Sequence, residues 1–135
     1  MTKQEITIIE GVLSLTDATG KIVKQYLPFF EIAEFRRIRP DVIIVREKTR
    51  SQIPSSSNIY RLNEQLEIVW FAEPPFDDDS FPNPIIWNKE IEQSADTWAS
   101  GMIDNTETFT CSSAKGMTIS INYLTGQIIK SVFTK

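Results

Sequence analysis

Apolar and polar residues alternate with period two along much of this chain, and three times the alternation folds back through a short polar turn. The copies are Leu13 to Val23, turning at Asp17-Ala18-Thr19-Gly20; Ile59 to Trp70, turning at Asn63-Glu64-Gln65-Leu66; and Ile119 to Ile129, turning before Gly126. Successive strand residues point to opposite faces, so each copy predicts a β-hairpin with one apolar face on each arm. Gly20 and Gly126 suit turn positions with φ > 0, whereas Leu66 stands in the glycine slot of the second copy and predicts a different turn there. The repeat predicts a mainly β fold. Its form is an antiparallel β-meander of about seven to nine strands in a curved sheet or open barrel-like domain, with residues 1–135 as a single domain.

Between the hairpins the pattern varies. Val42-Ile43-Ile44-Val45 is β-branched throughout and predicts a strand buried on both faces. Ile32 to Phe35 fits a short strand or one helical turn. Arg36 to Asp41 reads as a charged connection, since the residue before Pro40 is pushed out of the helical region. Lys48 to Asn58, with Pro54 and three consecutive serines, reads as a loop. Glu73 to Pro84 holds four prolines and three adjacent aspartates, a density that no regular element survives. After it, Asn88 suits a helix N-cap, and Ile91, Ala95, Trp98 and Met102 share a helical face, so one short helix is expected there.

Composition narrows the function classes. The net charge is −4, which argues against nucleic acid and anionic membrane as partners and favours a basic protein. No apolar run approaches the ~18 residues that a membrane helix needs, Met1 to Glu5 lack a secretion segment, and the single Cys111 has no partner for an intramolecular disulfide. A cytoplasmic location is expected. The chain has no histidine, which removes Ser-His-Asp and Cys-His catalysis and the usual zinc sets. Cys111, between Thr110 and Ser112 in a strand, reads as a packing residue. Asp77, Asp78 and Asp79 lack the spaced ligands of a calcium loop. A carboxylate pair of the glycosidase kind stays open, because its separation is spatial. The expectation is no enzyme and no cofactor.

The aromatic residues suggest where a partner would bind. Trp70 and Phe71 fall on opposite faces of one strand, and Trp87 and Trp98 flank the expected helix. Phe76 and Phe81 sit in the Pro-rich loop on either side of the aspartates. They read either as residues tucked onto the sheet or as interface anchors ringed by acid. The second reading makes Glu73, Phe76, Asp77, Asp78, Asp79, Phe81 and Trp87 a partner-binding surface.

The stretch Thr108 to Ser131 resembles a blade of the quinoprotein-type β-propeller, in Phe109-Thr110-Cys111-Ser112-Ser113, Lys115-Gly116, Met117 to Asn122, Thr125-Gly126 and Gln127-Ile128-Ile129. Val42 to Trp70 looks similar, with Leu66 in the glycine slot. Propellers need at least about four blades of some 40 residues, so the likeness is to the blade and brings no cofactor site. The Pro-Pro-Phe-Asp-Asp-x-Ser-Phe loop and the Phe-Thr-Cys-Ser-Ser ending also resemble those of small single-domain bacterial β proteins. Several of these sit beside toxin genes and are suspected immunity proteins. The resemblance implies neutralisation of a cognate, basic toxin by covering its active site. A structural or regulatory interaction module and a small-ligand or carbohydrate-binding β domain remain the alternatives.

Overall fold

Period-two alternation becomes three separate antiparallel sheets in the computed structural model, which describes residues 4–48, 57–73, 79–87 and 107–133. The first sheet holds β1 (Glu5–Ile9), β2 (Val12–Thr16) and β3 (Ile22–Tyr26). The middle sheet holds β4 (Ile32–Arg39), β5 (Val42–Glu47), β6 (Ile59–Leu62) and β7 (Ile68–Phe71). The third holds β8 (Ile86–Trp87), β9 (Thr108–Ser112), β10 (Met117–Asn122) and β11 (Ile128–Phe133). Each sheet is a meander in chain order, and no strand is shared between sheets, so the arrangement is a stack rather than a barrel. No helix among the described residues is long and apolar enough to cross a membrane. The expected helix, with Trp98, lies outside the described residues.

The middle sheet is buried on both faces. Val42, Ile44 and Ile59 join Phe109, Cys111, Ile119 and Ile121 in the core against the third sheet. Ile43, Val45, Tyr60 and Leu62 join Leu13 and Leu15 in the core against the first. Strand β5 therefore alternates between two cores, and its β-branched run is fully buried, as its sequence predicts. Trp70 and Phe71 do likewise, one toward each core.

Eleven strands among the described residues exceed the seven to nine expected, because the first arm divides into β1 and β2 and Ile86–Trp87 adds the short β8. Glu10 and Gly11 both take positive φ and close a two-residue hairpin between β1 and β2, a conformation glutamate seldom adopts. Strand β4 also runs on through Arg36-Arg37-Ile38-Arg39, where the sequence reads as a connection. Those arginines find partners there: Arg36 lies over the Trp87 ring at 5.1 Å, and Arg37 donates to the Gln4 carbonyl at 2.9 Å.

The turn at Leu66 also differs from expectation. Asp17 closes its turn by accepting the Gly20 and Thr19 amides on its carbonyl and carboxylate, with its own amide donating to the Lys21 carbonyl. Asn63 does the same with Leu66, Gln65 and Glu67. Leu66 takes φ 62 beside the 87 of Gly20, so it adopts the same turn. Its side chain is buried with Leu13 and Leu62, and that burial offsets the left-handed strain.

Candidate functional site

Residues 79–85 are fastened between the middle and third sheets by side chains that imitate a strand. Asn58 accepts the Phe81 amide on Oδ1 at 2.9 Å and donates from Nδ2 to the Phe81 carbonyl at 2.8 Å, pairing with the backbone as a neighbouring peptide would. Glu34 Oε2 accepts Arg46 Nε at 2.6 Å and the Ile85 amide at 2.9 Å, while Arg46 Nη1 donates to the Pro82 carbonyl at 3.2 Å. On the other side Asp79 Oδ1 accepts the Ser80 and Lys115 amides at 2.9 and 3.0 Å. Its Oδ2 is buried without a hydrogen bond.

This fastening turns two expected surface residues inward. Phe81 is fully buried in the core beside Phe109 and Ile119 rather than standing out as an anchor, because Asn58 draws its backbone onto the sheet. Asp79 is likewise buried, its charge aimed at backbone amides instead of solvent. Trp87 is half-buried, tilted against Phe109 at 5.6 Å and covered by Arg36. Glu73 is exposed. Phe76, Asp77 and Asp78 lie outside the described residues.

Sequence reasoning missed a second assembly at the same end of the stack. Glu47, the last residue of β5, is fully buried, and three donors converge on it. Phe30 N–H reaches Oε1 at 2.7 Å, Phe29 N–H reaches Oε2 at 3.0 Å, and the Tyr60 hydroxyl donates to Oε2 at 2.5 Å. The Tyr26 hydroxyl donates in turn to that of Tyr60 at 2.9 Å. Burial pushes the Tyr60 phenol well above its ordinary range, and the hydrogen bond to Glu47 adds to the rise. Burial also pushes Tyr26 up to about 12. Both hydroxyls stay protonated as donors.

The carboxylate thereby holds the segment between β3 and β4 in one shape. Phe29 points inward, edge-on to Tyr60 at 6.0 Å and tilted against Phe71 at 6.2 Å. Phe30, 54% exposed, and Leu27, 75% exposed, are left outside. Lys48 closes the far side, its amide on the Glu31 carbonyl and its ammonium on the Glu31 carboxylate at 2.6 Å. The signal available in the sequence was Phe29-Phe30 itself, since adjacent residues at a strand entrance face opposite ways.

The chemistry open to the described residues is limited. Burial raises the Cys111 thiol far above its ordinary value, and Glu34 adds to that while Arg46 opposes it, so the sulfur packs as a protonated apolar group. Among the described residues no cluster of three or more Asp, Glu or Cys is placed to hold a metal ion.

No protein-family model matches the chain, and no curated protein matches its sequence. Among solved structures, the crystal structure of the computationally designed Ika8 protein is similar over 98% of this chain, with a TM-score of 0.56 and 9% sequence identity. This chain spans 33% of that one, so the likeness is of fold, to about a third of a longer chain.

Proposed function

We propose that this chain is a non-catalytic protein-binding domain whose partner docks where Leu27 and Phe30 stand exposed between β3 and β4. The observation that carries this reading is exposure combined with rigidity. Two large apolar side chains face solvent on a segment whose backbone amides are held by the buried Glu47 carboxylate. A rigid apolar anchor loses little entropy on binding, and a polar rim around it is what protein interfaces show. Phe29 against Phe71 ties this segment to the strand that leads into Glu73 and the acidic loop.

The role is that of a cytoplasmic immunity protein that covers the basic active site of a cognate toxin. The net charge of −4 supports it, because opposite charge speeds encounter and excludes wrong partners. The missing histidine and the buried thiol support binding rather than catalysis. The test is growth of cells producing the toxin encoded immediately upstream of this gene. Co-expressed wild-type chain is expected to restore growth, and a Leu27→Asp/Phe30→Asp variant is not. Absence of a toxin gene there, or full rescue by the variant, would overturn the reading.

A further inference from the structure

The shared turns put the three sheets in register with one another. Asp17, Asn63 and Asn122 each accept turn amides on a side-chain oxygen at the end of β2, β6 and β10, so these three strands correspond. It follows that β1, β5 and β9 correspond as well. The middle sheet continues beyond β5 with β4, and the third continues beyond β9 with β8. Among the described residues the first sheet has no strand beyond β1.

The outer edge of β1 is therefore paired with no described strand. Strands β5 and β9 are buried almost throughout, whereas β1 is not. Ile8 pairs with Leu13 and so faces the middle sheet, yet it is 38% exposed while Leu13 is fully buried. The edge Glu5-Ile6-Thr7-Ile8-Ile9 is β-branched at four of its five positions and carries neither Pro nor Lys, the residues that usually blunt an edge. Strand β4 lies beside this edge, because Arg37 Nη1 bonds the Gln4 carbonyl that leads into β1. Phe35 and Arg37 pair with Val45 and Ile43, which face the first sheet, so both project to that side of β4. Arg37 gives its hydrogen bonds to main-chain carbonyls, those of Gln4 and Pro40.

We propose that the outer edge of β1 takes up an extended segment of a partner protein, antiparallel to β1, that carries an apolar residue and an acidic residue two positions apart on one face. The added strand stands to β1 as β4 stands to β5 and β8 to β9, both antiparallel. Main-chain hydrogen bonds supply affinity and alternate side chains supply selectivity, as in other strand additions. An apolar residue covers Ile8 and Phe35. A carboxylate two positions away, roughly 7 Å along a strand, meets the guanidinium of Arg37.

The test uses the isotope-labelled full chain and two end-blocked hexapeptides, Thr-Val-Thr-Glu-Thr-Thr and Thr-Val-Thr-Lys-Thr-Thr. The acidic peptide is expected to slow exchange of β1 amides within Glu5–Ile9 by about tenfold or more, and the lysine peptide to leave them unchanged. Arg37→Gln, which keeps a donor for the Gln4 carbonyl, is expected to weaken the acidic peptide by about tenfold with the melting temperature held. Unchanged exchange at millimolar acidic peptide overturns the proposal, as does equal protection by the lysine peptide or protection at β3, β7 or β11 instead. Protection of β1 that rises with protein concentration alone also overturns it and assigns the edge to a second copy of this chain.

Discussion

The indole of Trp70 lies against the α-carbon of Gly126, so close that a Cβ added there would meet Trp70 Cδ2 at 2.6 Å and Cγ at 2.7 Å. The contact closes the turn of the third sheet over the middle one, and Trp70 Nε1 donates to the Tyr123 carbonyl at 3.2 Å in the same place. Gly20 has positive φ as well, but its Cβ direction is open space. Gly126→Ala therefore combines left-handed strain with a clash and should cost about 2–4 kcal/mol, while Gly20→Ala should cost about 1 kcal/mol. Urea denaturation of both variants checks this, and equal losses would refute the contact.

Leu66 tests whether burial can hold a non-glycine residue at φ 62. Leu66→Gly removes strain of about 1 kcal/mol but forfeits burial of about 2–3 kcal/mol. A net loss of about 1–2 kcal/mol is expected on denaturation. A more stable variant would show that the side chain contributes little.

What the sequence revealed and what it concealed divide along physical lines. The run Val42 to Val45 was legible because β-branched residues without polar alternation suit only a strand with a core on each side. The Asx turns were legible because Asp17, Asn63 and Asn122 bond their own following amides, a local interaction. Leu66, the arginines of β4 and Phe81 were not, because each is decided by distant partners: the first-sheet core, Trp87 with Gln4, and Asn58. The candidate site was half legible for the same reason. Of the acidic and aromatic residues that the sequence offered, Phe81 and Asp79 turn inward. The exposure of Leu27 and Phe30 depends on Glu47, which lies far from them in sequence.

Glu47→Gln replaces one acceptor oxygen by an amide nitrogen that faces the donors at Phe29, Phe30 and Tyr60. Leaving a buried donor unpaired costs about 1–3 kcal/mol. The variant should lose that much stability, and the Phe29 and Phe30 amides should exchange faster than the rest of the first core. Unchanged exchange at those two amides would show that the carboxylate does not hold the segment.

Alkaline pH should weaken the same assembly. Burial raises the Tyr26 phenol from 10.0 to about 12, with the charge of Glu47 adding to the rise and the hydrogen bond to Tyr60 opposing it. A folded-state value above the unfolded one means that the stabilisation is complete below pH 10.0 and is lost as pH climbs through about 12, since only the unfolded chain releases the proton in that window. Urea midpoints measured across it should fall, and less steeply for Tyr26→Phe than for the wild type. Parallel slopes would contradict the assignment.

The measurement closest to the central claim is calorimetric titration of the chain against the proposed cognate toxin, comparing the wild type with Leu27→Ser/Phe30→Ser. Both side chains are exposed, so the melting temperature should hold. The account predicts affinity about thirtyfold weaker or worse, the loss of about 2 kcal/mol typical of an aromatic anchor. Asp77→Asn/Asp78→Asn should mainly slow association and flatten its salt dependence. A Leu27→Ser/Phe30→Ser variant that binds the toxin as tightly as the wild type would contradict the claim that the segment between β3 and β4 is the binding surface.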